Sequence, residues 1–249
     1  MRSPAPVLLI ATTNPGKLRE FAELLRPAAG VSSMDRSCWS LGAAKSGPAA
    51  GVFSMDRSRW SLGAAKSDSL LDRMPVTLQS LIDLPGAPAV PEDGSTYLEN
   101  ARAKAVAVAR WSGRTALADD SGLEVDALGG APGIHSARYA GAAQDSGANL
   151  DKLLQALAGV PEPERTARFR CVLVAAQPDG QTLVAEGACE GRITDHPRGS
   201  GGFGYDPVFL YPPAGRTFAE LPAAIKNQVS HRARACAQLR ERLMDFMLA

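Results

Sequence analysis

The chain has 249 residues and is nearly neutral, with 27 basic and 26 acidic side chains. This length allows one large α/β domain, or two small ones, with an ample buried core. The balanced charge provides no electrostatic footprint for duplex nucleic acid or for an anionic membrane surface, although it allows a local basic cleft, so any anionic partner should be small.

The four cysteines form no C-x-x-C pair and no cluster with the three histidines. This spacing argues against a structural zinc site or a disulfide framework and favours a reducing compartment. The N-terminal apolar run is too short for a signal peptide, and no window is long enough to cross a bilayer. We therefore expect a soluble, cytoplasmic protein.

The first predicted strand covers residues 7–11 and leads through the sequence TTNPGK into a helix. Asn14 is a good N-cap, Pro15 suits the first helical position, and apolar residues then recur at helical spacing. Such a helix start offers backbone N–H groups and a positive dipole end to an anion, and Lys17 adds a cation. The segment predicts either a phosphate site or a helix that is merely capped, and its spacing excludes a Walker A loop.

Residues 31–46 and 52–67 form a tandem repeat whose copies differ at only two positions. Two copies are too few for a solenoid, which needs about three. Because the copies are rich in Ser, Gly and Ala without clear periodicity, we expect a poorly ordered insertion over 27–74 within a single domain, 1–249. A docking element that uses Trp39 and Trp60 is the alternative.

A predicted strand at residues 74–78 is followed by a Pro-rich loop that contains Glu92. Thr96 and Glu99 have the spacing of a capping box, and the helix that they begin should end at Gly113.

Asp119 and Asp120 follow an apolar run at residues 115–118 that is typical of a buried strand. We expect the strand to end on these acids and the next Ser-Gly pair to turn the chain, which places them where ligands gather. Neighbouring acids point to opposite faces of an extended chain. The segment predicts either a solvated turn or a Mg²⁺ site in which Asp120 and Glu92 provide hard oxygen ligands.

The second half predicts a short helix at 149–158 and two strands, 167–177 and 181–194, joined by a Pro-Asp-Gly hairpin. Arg168 is expected to be a solvated or sheet-edge charge, and His196 an exposed loop residue.

A glycine-rich segment at 199–207 would let the backbone approach a flat ligand, with Phe203 stacking on it and Asp206 accepting a hydrogen bond. A glycine-rich turn with core aromatics is the alternative. The last predicted helix begins after its N-cap, Ser230, and the basic residues around it are typical of a solvated helix start. Taken with the helix-start anion site and the acids, these segments predict a pocket for a flat, phosphorylated ligand and a metal.

Four segments resemble the signature blocks of the inosine triphosphate pyrophosphatase family, the dITP/XTP pyrophosphatases that remove aberrant purine nucleotides. They are TTNPGK at 12–17, DDSGLEVDALGGAPGIHSARYAG at 119–141, GGFGYDPVF at 201–209 and SHRARA at 230–235. The resemblance implies Mg²⁺-dependent hydrolysis of a nucleoside triphosphate to the monophosphate and pyrophosphate, usually by a homodimer. It also implies an α/β fold with an elongated mixed β-sheet, flanked by helices in two lobes around a central cleft. The tandem repeat departs from the family, which has a short connection there.

The resemblance implies a role for each matching residue. Asp120 resembles the general base and, together with Glu92, the metal ligands. The implied substrate contacts are Thr12, Thr13, Asn14, Pro15, Gly16 and Lys17 in the triphosphate loop, Ser121 and Arg138 near the phosphates, Phe203, Gly204, Tyr205 and Asp206 in the base pocket, and Lys226, His231 and Arg232 on its polar side.

Donors on Lys226, His231 and Arg232 would suit the 6-carbonyl of hypoxanthine and xanthine better than the 6-amino group of adenine. Two other functions stay open at this stage. One is a nucleotide-binding or regulatory module without catalysis, and the other is a related pyrophosphatase for modified pyrimidines.

Overall fold

A computed structural model describes residues 6–25, 52–53 and 77–249. The strands are β1 (Val7–Ile10), β2 (Val52–Phe53), β3 (Thr77–Ser80), β4 (Thr115–Val125), β5 (Thr166–Ala176), β6 (Thr182–Ile193), β7 (Phe209–Tyr211) and β8 (Arg216–Thr217). The α-helices are α1 (Pro15–Leu24), α2 (Tyr97–Ser112), α3 (Ser146–Ala156), α4 (Ala223–Val229) and α5 (His231–Leu248). Apart from 52–53, the predicted insertion lies outside the described residues, and so do the predictions of its disorder and of its docking role.

The strands of the described residues form one mixed, eight-stranded sheet in the order β2-β3-β1-β4-β5-β6-β7-β8. β1 lies parallel between β3 and β4, and the pairs from β4 to β8 are antiparallel. β4, β5 and β6 are the long strands, paired over almost their full length. This arrangement confirms the predicted mixed sheet flanked by helices.

Helices cover both faces of the sheet. α1 and α5 pack on one face over β1, β4 and β5, around Phe21, Leu173 and Leu239. α2 packs on the other face, where Ala105 and Val108 lie in the same cluster as small residues of β4 and β5. The two adjacent acids of β4 therefore face different helices.

Most predicted element boundaries are confirmed to within a few residues. Thr96 caps α2 by accepting from the Glu99 N–H at 3.1 Å, and Gly113 ends the helix with a φ of +66°. The Glu99 carboxylate accepts from the Ser95 N–H at 2.7 Å, one residue before the cap that a capping box would use. In the described part of the chain, no helix is both long enough and apolar enough to span a membrane.

Candidate active site

The first part of the site is the loop between β1 and α1. The Asn14 side chain accepts from the backbone N–H groups of Gly16, at 2.8 Å, and Lys17, at 3.1 Å, which confirms the predicted cap. The Asn14 N–H donates to Thr12 Oγ1 at 3.1 Å. These three N–H groups therefore already have partners within the loop. An anion at this helix start would meet the dipole and the Lys17 ammonium rather than a set of free N–H groups.

Two carboxylates lie in the middle of β4. The strand continues from Thr115 to Val125 and pairs with β5 along its length, so the predicted strand end at Asp119 and Asp120 and the turn after them are wrong. β5 provides a complete antiparallel partner, which satisfies the backbone of residues that turn propensity would place in a loop. β1 pairs with β4 only as far as Leu117. The acids consequently lie just beyond the carboxyl end of β1, beside the loop that follows it.

Asp119 faces α1 and α5. Its Oδ2 lies 2.9 Å from Lys17 Nζ and accepts from Ser121 Oγ at 2.8 Å. Burial would raise the pKa of Asp119, but the charges of Lys17 and Arg232 hold this pKa well below its usual range. Asp119 is therefore an ionised anchor that positions Lys17 beside the loop.

Asp120 faces α2, on the opposite side of the sheet. Asn100 Nδ2 donates to its Oδ2 at 2.9 Å, and the Ser121 N–H donates to its Oδ1 at 3.1 Å. The residue is only 5% exposed. Burial raises the pKa of Asp120, although Lys104 acts in the opposite direction. A carboxylate with a raised pKa is a stronger proton acceptor, which suits the role of general base.

Lys104 is a site residue that the sequence motifs did not single out. Its Nζ donates to Glu92 Oε1 at 2.7 Å and to the backbone oxygen of Asp119 at 2.5 Å. Burial would raise the pKa of Glu92, but the Lys104 ammonium lowers it below its ordinary value. Lys104 lies four residues after Asn100 on α2, so both side chains project from the same side of the helix. This spacing of two polar residues is the sequence pattern from which their place in the site could have been inferred.

Arg138 also contacts the Glu92 loop. Its Nη2 donates to the Glu92 backbone oxygen at 2.9 Å, and its Nη1 lies 3.7 Å from the Glu92 carboxylate. The predicted phosphate contact of Arg138 therefore needs a change of partner, whereas its place beside the Glu92 carboxylate is observed.

The glycine-rich segment before β7 brings an aromatic ring against α1. A Cβ added to Gly16 would lie 2.8 Å from Phe203 Cδ1, so only glycine allows this contact. Lys226 Nζ lies 5.0 Å, and the Arg232 guanidinium carbon 5.2 Å, from the Phe203 ring centre. Asp206 Oδ2 accepts from the Phe203 N–H at 2.8 Å. The predicted stacking residue and the predicted triphosphate loop are therefore direct neighbours.

Other predicted contacts have different surroundings. Tyr205 is buried, and its hydroxyl donates to the Ser136 backbone oxygen at 2.9 Å, so it supports the fold. Thr13, in the loop before α1, and Pro15, the first residue of α1, are exposed. A Cβ added to Gly204 would meet no atom within 4 Å, so this residue borders open space.

Three basic residues around the start of α5 are buried, which contradicts the predicted solvated helix start. Lys226, His231 and Arg232 are 5%, 2% and 4% exposed. Their burial is compensated by Glu20, another residue that the motifs did not single out. Its carboxylate lies 2.7 Å from Lys226 Nζ and 3.0 Å from Arg232 Nη1. Glu20 lies three residues after Lys17 and so projects from the same side of α1.

His231 lies flat against the Phe169 ring, with ring centroids 4.7 Å apart. Burial, followed by the nearby charges of Arg232 and Lys226, lowers its pKa well below the ordinary value, so the imidazole is neutral. His231 Nδ1 and Arg232 Nε are buried without a hydrogen-bond partner among the described residues. Buried polar atoms of this kind usually have a partner, and a bound ligand could provide it.

These contacts form one continuous chain of charges. It runs from Lys17 to Asp119 (2.9 Å), Arg232 (3.7 Å), Glu20 (3.0 Å), Lys226 (2.7 Å) and Asp206 (2.6 Å). It connects the start of α1 to the Phe203 segment through the middle of β4 and the start of α5. Within the described ranges, no group of three or more His, Cys, Asp or Glu side chains is arranged to hold a metal by itself. His196 is exposed, as predicted, and takes no part in the chain of charges.

Comparisons with known proteins place these features in a family. The sequence model of the Ham1 family matches residues 64–242. A protein of Shouchella clausii named dITP/XTP pyrophosphatase is 56% identical over 164 residues, which cover 66% of this chain and 83% of the relative. One of Desulforamulus reducens with the same name is 42% identical over 234 residues, 94% of each chain.

Solved structures give the same result. The Staphylococcus aureus Ham1 protein has a TM-score of 0.69 and 32% identity, and covers 96% of this chain and 99% of its own. A Mycobacterium abscessus structure described as nucleoside-triphosphatase / dITP/XTP pyrophosphatase has a TM-score of 0.61 and 34% identity. The match covers 95% of this chain and 99% of that structure's chain.

Proposed function

The chain belongs to the Ham1 family, and from this premise we propose that it hydrolyses aberrant purine nucleoside triphosphates, namely ITP, dITP and XTP. The products are the nucleoside monophosphate and pyrophosphate, so the enzyme removes these nucleotides from the cellular pool.

The chain of charges from Lys17 to Asp206 is the observation that carries this proposal. Its first member lies at a helix start, where phosphate is favoured, and its last member lies beside Phe203, whose ring can stack on a base. Paired side chains, most of them buried, join the two ends. A ligand with a polyanionic end and a flat, polar end matches this arrangement.

We propose that Mg²⁺ is held by Asp120 and Glu92. The donor set fits, because Mg²⁺ takes one or two protein carboxylates and completes its shell with water and substrate phosphates. Lys104 Nζ donates both to Glu92 Oε1 and to the backbone oxygen of Asp119, so the Glu92 carboxylate lies beside the strand that carries Asp120. When bound, the ion would neutralise the triphosphate and polarise the phosphorus under attack.

The side chains of the protein account for the remaining steps. Asp120 orients a water molecule and accepts its proton as the water attacks the α-phosphorus. Lys17, held by Asp119, stabilises the charge that develops on the departing pyrophosphate. The neighbouring Lys104 keeps the Glu92 carboxylate ionised.

The base pocket favours a 6-oxo purine. Hypoxanthine presents a carbonyl acceptor at position 6 beside an N–H donor, whereas adenine presents an amino donor beside an unprotonated nitrogen. In the structure the Lys226 ammonium lies between the carboxylates of Glu20 and Asp206, at 2.7 and 2.6 Å. A cation can donate to the 6-carbonyl, and a carboxylate next to it can accept from the N–H of a 6-oxo purine. Adenine would leave these polar groups unpaired, which discriminates strongly against it.

A substrate panel tests this proposal. With Mg²⁺, purified protein should release pyrophosphate from dITP, ITP and XTP with kcat/KM about 100-fold above the value for ATP. Guanine shares the 6-carbonyl, so any rejection of GTP must come from its 2-amino group. A modified-pyrimidine pyrophosphatase would instead prefer the pyrimidine members of the panel. Equal turnover of ATP would refute the proposed specificity.

The variant Asp120→Asn separates catalysis from binding. It should lower kcat by about 10²–10⁴-fold, as expected for a general base, and should still bind dITP in calorimetry. The control Asp151→Asn changes an exposed carboxylate of α3 and should have wild-type kinetics. If the wild type binds dITP and releases no pyrophosphate, the protein is a nucleotide-binding module without catalysis.

We further propose that the protein is a homodimer, which light scattering of the purified protein would test.

A further inference from the structure

We propose that Asn100 is a positioning residue that joins the two carboxylate-bearing segments of the site, fixing the Glu92 loop and Asp120 with one side-chain amide. This inference rests on the proposed function, because it gives these carboxylates a shared task.

Both ends of the Asn100 amide are used. Its Nδ2 donates to Asp120 Oδ2 at 2.9 Å, and its Oδ1 accepts from the Gly94 N–H at 2.8 Å. The residue is 1% exposed, so water does not compete for either bond. An amide is the side-chain group that donates at one end and accepts at the other in a fixed plane. The two bonds thus hold Gly94 at a set distance from Asp120.

The Gly94 bond controls where Glu92 lies, because Glu92 is only two residues earlier in the same loop. A Cβ added to Gly94 would lie 2.7 Å from Asn100 Oδ1 and 2.9 Å from Glu99 Cβ. The close approach of the loop to α2 therefore requires glycine, and its φ lies in an ordinary region for any residue. Alanine at this position would act on the contact alone.

Helix α2 holds the backbone of Asn100 in a fixed position. The residue lies in the first turns of this helix, where its N–H donates to the Thr96 backbone oxygen at 3.2 Å. Its neighbour Ala101 is fully buried against the sheet. The position of the amide is consequently set by helix packing. Groups that orient metal-binding carboxylates from behind commonly affect metal affinity or activity by about 10–100-fold when they are removed.

Two substitutions separate the two bonds. Asn100→Ala removes both, whereas Asn100→Asp keeps an oxygen for the Gly94 N–H and loses the donor to Asp120. We expect a kcat on dITP at least about tenfold lower for both variants. Asn100→Ala should also need a higher Mg²⁺ concentration for half-maximal rate.

Hydrogen exchange gives a readout that does not depend on activity. Amide exchange of the peptide containing Gly94, measured without nucleotide or metal, should accelerate in Asn100→Ala and stay close to wild type in Asn100→Asp. Gly94→Ala should accelerate the same peptide and raise the Mg²⁺ requirement. Unchanged exchange in Asn100→Ala, or wild-type kcat in Asn100→Asp, would overturn the inference.

Asn149 offers a matched control. It is also a buried helical asparagine that bridges a loop, accepting from the Ala140 N–H at 2.6 Å and donating to the Ala137 oxygen at 2.9 Å. Both of its bonds end on backbone atoms. Asn149→Ala should lower the Tm and leave two quantities unchanged, the Mg²⁺ concentration for half-maximal rate and the amide exchange of Gly94. A raised Mg²⁺ requirement in this variant would mean that general destabilisation explains the Asn100 effect.

The failure of the proposed function can be told apart from the failure of this inference. If wild-type protein has no pyrophosphatase activity, the proposed function fails, and the exchange experiment still tests the link between Asn100 and the Glu92 loop.

Discussion

At the scale of single residues, adjacent acids on β4 have different environments and hence different tasks. Asp119 is surrounded by cations and has a lowered pKa, whereas Asp120 is bonded by an amide and a backbone N–H and has a raised pKa. Alternation along a strand places them on opposite faces of the sheet. Only the helices packed on those faces decide which acid is the anchor and which is available as a base.

Replacement of Lys17 tests the anchored cation. Lys17→Met should lower kcat for dITP by about 10²–10³-fold, because the charge on departing pyrophosphate loses its stabilising ammonium. Steady-state kinetics with a circular dichroism check of folding would measure this. Arg19→Met, an exposed residue of the same helix, is the control. A Lys17→Met enzyme with the kcat of the control would show that this ammonium has no part in catalysis.

At the scale of elements, the position of α5 depends on close backbone contact with β6. A Cβ added to Gly187 would lie 2.2 Å from the His231 backbone oxygen and 2.6 Å from the Ala235 nitrogen. Backbone atoms cannot move aside as the end of a side chain can. Gly187 therefore fixes the first turn of α5, which carries His231 and Arg232 of the proposed base pocket.

Gly187→Ala should push α5 away from the sheet. We expect a loss of about 1–3 kcal/mol in unfolding free energy, as for other overpacked cores, and a lower kcat/KM for dITP. Denaturant unfolding and kinetics would measure both. In Gly147→Ala, the added methyl would lie near the end of a side chain, so this control should change stability little. Wild-type stability of Gly187→Ala would show that α5 tolerates displacement.

At the scale of the whole molecule, stability should depend on pH through His231. Its pKa in the folded state lies well below the ordinary value of 6.5. As pH falls below 6.5, the unfolded chain binds a proton that the folded protein does not bind. The contribution of the neutral imidazole is thus complete above this pH and is lost as pH falls toward the folded-state pKa.

Unfolding free energies between pH 7 and 5 would measure this effect. The wild type should lose up to about 1.4 kcal/mol per pH unit from this group below pH 6.5. His231→Gln should have a shallower dependence. His196→Gln changes the exposed loop histidine and should keep the wild-type slope. Parallel slopes for the wild type and His231→Gln would contradict the assignment.

We also propose that the chain is a single domain in which 27–74 is an insertion. The site contacts described above all lie within 6–25 and 77–249, and β2 adds only a two-residue edge strand. Replacement of 28–73 by a short Gly-Ser linker should therefore retain pyrophosphatase activity, since loop segments tolerate such changes. An order-of-magnitude loss of kcat/KM in a folded variant would indicate that the segment contributes to catalysis.

The sequence by itself determined the local elements and the chemical inventory. The Asn14 cap, the Thr96 and Gly113 ends of α2 and the hairpin between β5 and β6 follow from short-range rules, because their partners lie a few residues away. The signature segments likewise named most of the side chains that the structure brings together in the candidate site.

Tertiary structure decided what those side chains touch. The turn predicted after Asp120 is absent because β5 pairs with the whole of β4. The basic start of α5 is buried because Glu20, more than two hundred positions earlier, neutralises it. Lys104 and Asn100 enter the site only because α2 packs on β4. Burial and long-range pairing depend on residues far apart in the sequence, so local sequence patterns do not predict them.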